Sequence, residues 1–134
     1  MVREEYLLDT NICISILKDD RDIIGKVLSV GQSNCHISEI TIAELFYGAA
    51  KSGRKSHFED IGKIECLFDV LPIYTSLRKY GEIKAKLEAK GQRLDEFDLL
   101  IGATALQNGL TVVTANVRHF GRIPDLNVVN WENN

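Results

Sequence analysis

The chain has 134 residues, 45% of them apolar and 26% charged, with 10 glycines and only 2 prolines. That composition excludes a disordered or collagen-like chain and describes one domain large enough to bury roughly two thirds of its unfolded surface in a single core. A net charge of −3 argues against a protein held on nucleic acid by bulk attraction. No apolar run approaches the roughly 18 residues of a membrane span. The acidic start, Arg3-Glu4-Glu5, lacks the basic-then-apolar pattern of a secretory signal, so a cytoplasmic location and no membrane contact are expected.

In chain order, Tyr6-Leu7-Leu8 reads as a first strand, and Thr10 opens a helix that runs to about Lys18. Asp20 or Asp22 caps a second helix ending at Gly31. Cys35-His36-Ile37 is a second strand, after which Ser38 caps a third helix ending near Gly48. Ser56 to Leu67 forms a fourth helix, Phe68 to Ile73 a third strand, and Thr75 to Lys90 a fifth helix stopped by Gly91. Asp95 begins a sixth helix with Phe97, Leu100, Ile101, Thr104 and Ala105 at helical spacing, ending at Asn108-Gly109. Leu110 to Val113 and Val128-Val129 complete the strands. Short Val- and Ile-rich runs without polar alternation are strands buried on both faces. Their alternation with helices implies an α/β fold with a mostly parallel central sheet flanked by helices, and ligands gather at the carboxyl ends of such strands. No repeat or linker interrupts the pattern, so residues 1–134 are expected to form one domain.

Cys13, Cys35 and Cys66 are odd in number and widely spaced, with no CxxC pairing, and read as small core hydrophobes. Residues 51–55 carry +3 and residues 78–93 carry +4 against the whole-chain −3, leaving −10 on the rest. Much of what makes the chain interpretable lies in that acidic remainder.

Asp9 follows the first strand directly and stands where the first helix begins. It suits either a metal ligand or a helix N-cap. Glu44 lies among Ala43, Leu45 and Phe46, and an acid in that setting needs a partner. Thr41 and Glu44 also have capping-box spacing, which would start the helix at Thr41 rather than Ser38. Asp98 opens the apolar run Leu99-Leu100-Ile101 with Asp95 three residues earlier on the same face, and both acids complement a helix dipole. Asn116 follows the fourth strand and suits a cap on the turn leading to His119-Phe120. If strands one, two and four are neighbours, Asp9, Glu44, Asp98 and Asn116 converge. Clustered carboxylates repel one another unless a cation neutralises them, and hard oxygen donors select Mg²⁺ or Mn²⁺ over Zn²⁺. Such ions hold phosphate oxygens and activate water for phosphodiester cleavage.

Four blocks, Leu7-Leu8-Asp9-Thr10-Asn11, Ser38 through Gly48, Asp98 through Ala105 and Thr114-Ala115-Asn116 through Phe120, together resemble the PIN-domain ribonucleases of the VapC toxin type. Their order and the spacings of 35, 54 and 18 between the four polar positions carry the resemblance. It implies a PIN-like three-layer sandwich around a five-stranded sheet, a Mg²⁺-dependent endoribonuclease acting on RNA such as a transfer RNA, a homodimer and a cognate antitoxin. Residue by residue it implies Asp9, Glu44 and Asp98 as the acidic triad and Asn116 as the fourth position, with Asp9 and Asp98 as metal ligands. Thr10, Asp95, Thr114 and Arg118 are expected to support the ligands or touch substrate, with Arg122 beside them as a phosphate contact. A phosphoacceptor domain also places Asp after its first strand, but its further acids and lysine find no match here. A catalytically inactive PIN-like RNA- or protein-binding module is the alternative, and it predicts a broken acidic set.

Overall fold

The computed structural model describes residues 3–132. Residues 1–2 and 133–134 of the expected single domain lie outside the described residues. The first strand, β1 (Tyr6–Leu8), leads into α1 (Thr10–Leu17) and α2 (Arg21–Val30), then β2 (Cys35–Ser38), α3 (Glu39–Ser52) and α4 (Lys55–Leu67). β3 (Asp69–Leu71), α5 (Leu77–Ala89), α6 (Glu96–Asn108), β4 (Thr111–Val113), α7 (Val117–Phe120) and β5 (Val128–Val129) follow.

The strands pair in the order β3-β2-β1-β4-β5, and every pairing is parallel. Side chains alternate across a strand, so adjacent residues feed opposite layers. Leu8 and Val113 pack with Ile12, Ile23, Leu45 and Ile64 from α1 to α4. Their neighbours Leu7 and Val112 pack with Ile83, Leu99, Ile101 and Phe120 from α5, α6 and α7. Helix layer, sheet, helix layer is the expected three-layer sandwich, and β1 at its centre has β2 and β4 as its two neighbours.

The helix boundaries are set by local chemistry. Asp20 accepts from the N–H groups of Asp22 and Ile23 at 3.1 and 3.3 Å, capping α2, and Ser38 Oγ accepts from Ile40 N–H at 3.0 Å, capping α3. The Ser38 cap disposes of a capping box at Thr41. The expected end of the third helix at Gly48 is corrected: α3 runs on to Ser52 and stops at Gly53, whose φ of 69° is the left-handed cap that a glycine adopts without strain. A helical glycine costs only about 1 kcal/mol, and burial of Leu45 and Ala49 on either side of Gly48 outweighs it. The third strand is shorter than the expected Phe68 to Ile73, because Pro72 has no N–H with which to extend the ladder. A 3-10 turn over Tyr74–Ser76 then delays α5 to Leu77. Cys13 and Cys35 are core residues as expected, whereas Cys66 is exposed at the end of α4. Among the described residues no helix is long and apolar enough to cross a membrane.

Candidate active site

The sheet order brings the carboxyl ends of β1, β2 and β4 side by side, and each delivers polar side chains to the same edge. Asp9 is the residue after β1, held by its own N–H donating to Val113 O at 2.9 Å across the end of the ladder. The residue is only 5% exposed. One carboxyl oxygen accepts from Thr10 N–H at 2.8 Å, which caps α1, and the other accepts from Thr114 Oγ1 at 2.8 Å. Thr114 itself accepts from Asn116 N–H at 2.9 Å. The result is a directed chain from the Asn116 backbone through one buried hydroxyl to Asp9, in which each bond polarises the next. Metal-ligand and helix-cap readings of Asp9 are therefore compatible, since capping occupies one oxygen and leaves further lone pairs free.

Glu44 comes from the second turn of α3. Thr10 Oγ1 donates to Glu44 Oε1 at 2.6 Å, and Thr41 Oγ1 lies 3.1 Å from the same Thr10 oxygen. Thr10 has one hydroxyl proton, so with Glu44 ionised that proton serves the carboxylate and Thr41 donates to Thr10. Thr41 is fully buried, and its part in this relay is invisible in a sequence where the capping-box spacing supplies a simpler explanation.

Asp98 sits half-buried in the first turn of α6, whose N-cap is Asp95, accepting from Phe97 N–H at 3.0 Å. A helix N-terminus favours carboxylates. Here the opposite influences win: burial first, then the charges of Asp9, Asp95 and Glu44, push the Asp98 carboxyl up to about 6 from an ordinary 3.8. Burial likewise raises Asp9 against the pull of Thr114 and Thr10. Glu44 is raised by burial, with Asp9 and Asp95 adding to it and Thr10 opposing. Four acids thus feel one another, and among the described residues no lysine or arginine pairs with any of them.

Asn116 and Arg118 are exposed, flanking the start of α7. The expected side-chain cap by Asn116 is absent, and its backbone carbonyl accepts from His119 N–H at 3.1 Å instead. His119 is the group the sequence reading passed over. Its charge opposes the upward shift of Asp98, which places the imidazole on the rim of the acidic cluster. The signal for it was its position one helical turn after Asn116.

The donor set is all hard oxygen. Among the described residues no three Asp, Glu, His or Cys side chains are already closed around a common point as a metal cage. Mg²⁺ does not require one, because it keeps several waters and is held by one or two carboxylates, whereas a structural zinc site needs a closed tetrahedron. Asp9 and Asp98 present only carboxylate oxygens at this edge, and the charge of Asp9 is one of those that raise Asp98.

Comparison with known proteins gives a consistent outcome. The PIN domain family matches residues 6–126. The chain is 36% identical over 133 residues to the Rickettsia felis protein named Ribonuclease VapC2, spanning 95% of this chain and 98% of that one. It is 34% identical over 129 residues to the tRNA(fMet)-specific endonuclease VapC of Salmonella typhimurium, again 95% and 98% of the two chains. Among solved structures, VapBC2 from Rickettsia felis bound to a DNA fragment from its promoter superposes with a TM-score of 0.88 at 33% identity, covering 95% of this chain and 98% of that one.

Proposed function

Starting from a chain that belongs to the PIN-domain family, as a ribonuclease of its VapC branch, we propose that Asp9 and Asp98 hold one Mg²⁺, for which Mn²⁺ can substitute, and that Glu44 and Asn116 manage the attacking water. PIN-domain ribonucleases depend on divalent metal, and the oxygen-only donor set favours these two ions. The observation that carries the assignment is the gathering of Asp9, Glu44 and Asp98 at one sheet edge, where burial and the charges of Asp9, Asp95 and Glu44 raise Asp98, and where among the described residues no lysine or arginine pairs with any of the three. A cation relieves that repulsion. Bound there, the ion would polarise phosphoryl oxygens and acidify a coordinated water.

The protein's own groups then have distinct tasks. Glu44, held by Thr10 and raised above an ordinary carboxylate, accepts the proton of the water whose oxygen attacks phosphorus as the bond to the leaving ribose oxygen breaks. The Asn116 amide holds that water or the phosphate beside it. Thr114 fixes one oxygen of Asp9 so that its remaining lone pairs point to a constant place. Asp95 anchors the first turn of α6 and adds to the negative field that makes the site want a cation. Arg118 meets a substrate phosphate.

Transfer RNA is the substrate class, on the strength of a relative named for it. An antitoxin is the partner, since the solved neighbours are VapBC assemblies. An apolar groove lined by Ile14, Leu17, Leu45 and Ile61 beside Glu44 offers it a surface. Exposed Tyr47, Tyr74 and Leu77 offer apolar area for a homodimer, and the whole chain, 1–134, acts as one PIN domain in the cytoplasm.

The test is cleavage of total transfer RNA by the purified protein with Mg²⁺, with chelator, and with Asp98→Asn prepared identically. We expect loss on chelation, and a fall of at least about 10²–10³-fold in the variant, the scale for losing one electrostatic contact to the reacting group. Equal rates for variant and parent would overturn the assignment. The acids are intact, which disfavours an inactive binding module.

A further inference from the structure

Three arginines stand within a few residues of members of the acidic cluster in the chain, and they come from separate segments. Arg93 lies in the α5–α6 connection two residues before Asp95, and Arg118 follows Asn116 by two residues. Arg122 lies just beyond α7, and its Nη1 donates to the backbone carbonyl of Arg93 at 3.3 Å. All three are exposed. On α5, by contrast, Arg78, Lys79 and Lys84 are each taken up by Glu82 or Glu96. Among the described residues no carboxylate pairs with Arg93, Arg118 or Arg122.

The placement of Arg122 is built in by packing. Gly121 N–H donates to Val117 O at 2.8 Å, and a Cβ at residue 121 would stand 2.8 Å from that same oxygen, so the turn closes this tightly only with glycine. On the other side of Arg122, Ile123 is buried against α6, where a Cβ on Gly102 would come within 2.4 Å of Ile123 Cδ1. The tight turn at Gly121 therefore sets the backbone before Arg122, and the buried Ile123 side chain anchors the residue after it. The hydrogen bond to Arg93 uses one of its five N–H donors and leaves the others free. Arg93 contributes only its carbonyl to this contact and keeps its whole guanidinium for something else.

We propose that Arg93 and Arg122 form a phosphate-binding subsite that receives the RNA backbone next to the scissile phosphate. This rests on the reading of the cleft as the cleavage site. A cluster of acids repels every phosphate except one shared with a bound cation, so the flanking phosphates need their own positive charges, and guanidinium forks match phosphate geometry. The cleft then has two zones: an acidic floor for the reacting phosphate and a basic rim for its neighbour.

The competing role for Arg122 is a staple between two loops, and Arg93→Ala separates the two because it keeps the carbonyl that Arg122 bonds. Binding of labelled total transfer RNA is measured by anisotropy in Mg²⁺ across a salt series, in an Asp98→Asn background that leaves the RNA uncut. Arg93→Ala should weaken binding about fivefold and flatten the slope of log K against log salt by about 0.7–0.9, the loss of one phosphate contact. Arg122→Gln should do the same, and the double variant should lose about twice the slope. Arg93→Ala binding with the parent's affinity and slope would overturn the subsite. So would Arg122→Gln weakening binding at an unchanged slope with a lowered unfolding temperature, the signature of a staple. Failure of the Arg-intact protein to bind or cut transfer RNA would instead overturn the functional reading, and the subsite with it.

Discussion

The two ends of one parallel sheet treat acidic residues in opposite ways. At the amino end, Glu5 precedes β1 and Asp69 opens β3, and His36 of β2 stands between them. Its Nε2 lies 2.8 Å from Glu5 and its Nδ1 lies 3.6 Å from Asp69. Both carboxylates are well solvated, with side chains 44% and 81% exposed. At the carboxyl end, burial raises Asp9, Glu44 and Asp98 above ordinary carboxylates, and among the described residues no lysine or arginine pairs with them. The same fold that solvates or pairs its acids at one edge leaves them opposed at the other. Such repulsion works against the fold, and groups perturbed in this way cluster at functional sites.

The largest effect expected from breaking this contrast, short of removing an acid, comes from Thr114. Thr114→Val preserves shape but takes away the donor to Asp9 and strands the Asn116 N–H that Thr114 accepts. Supporting bonds of this kind are typically worth about 10–100-fold in activity. We expect kcat/KM on transfer RNA to fall by that amount, and Thr114→Ser to recover most of it. An unaffected Thr114→Val enzyme would mean that Asp9 is oriented by its backbone alone.

A smaller effect, of opposite sign, should appear in stability. The Asp98 carboxyl is raised from 3.8 to about 6 in the folded protein, so between those values the folded state binds more protons than the unfolded one. Stability without metal therefore declines as pH climbs through that window, and the full deficit is present at neutral pH. Because the group is half-buried, solvent screening discounts the shift to about 1 kcal/mol. In chelator, Asp98→Asn should melt about 3–4 °C above the parent at pH 7 and gain nothing near pH 4. Divalent ion should narrow the difference at pH 7 by stabilising the parent more. A variant that melts lower than the parent at pH 7 would show that Asp98 is held by attractions rather than opposed by its neighbours.

Much of this contrast was legible in the chain because both its elements and its acids are marked by local chemistry. Asp9 directly follows an apolar run, and Ser38, Asp20 and Asp95 each mark a helix start that the hydrogen bonds bear out. What was not legible depends on packing between distant segments. The relay from Thr41 through Thr10 to Glu44 joins α3 to α1. Sequence spacing instead paired Thr41 with Glu44 directly, a pairing that fails because α3 already starts at Glu39. The reach of α3 through Gly48 was hidden for the same reason, since Leu45 and Ala49 meet partners on other elements and their burial overrides a local breaker. The contact of Arg122 with Arg93 spans 29 residues and depends on the tight turn at Gly121, so no local pattern announces it.

The smallest effect should come from the amino end, and it tests the contrast from its other side. His36→Gln removes a ring whose two nitrogens face Glu5 and Asp69. The Asp69 contact at 3.6 Å is too long for a hydrogen bond, and Nδ1 has no hydrogen-bond partner, so chiefly the 2.8 Å bond to Glu5 is lost. With both carboxylates solvated, loss of the pairing should cost under about 1 kcal/mol. Cleavage of transfer RNA should be unchanged within about twofold, because the substitution lies at the opposite end of the strands from the acidic cluster. A stability loss well beyond that, or a fall in cleavage comparable with Thr114→Val, would mean that the amino end is not a relaxed reference. The carboxyl end's opposed charges would then no longer stand apart from the rest of the sheet.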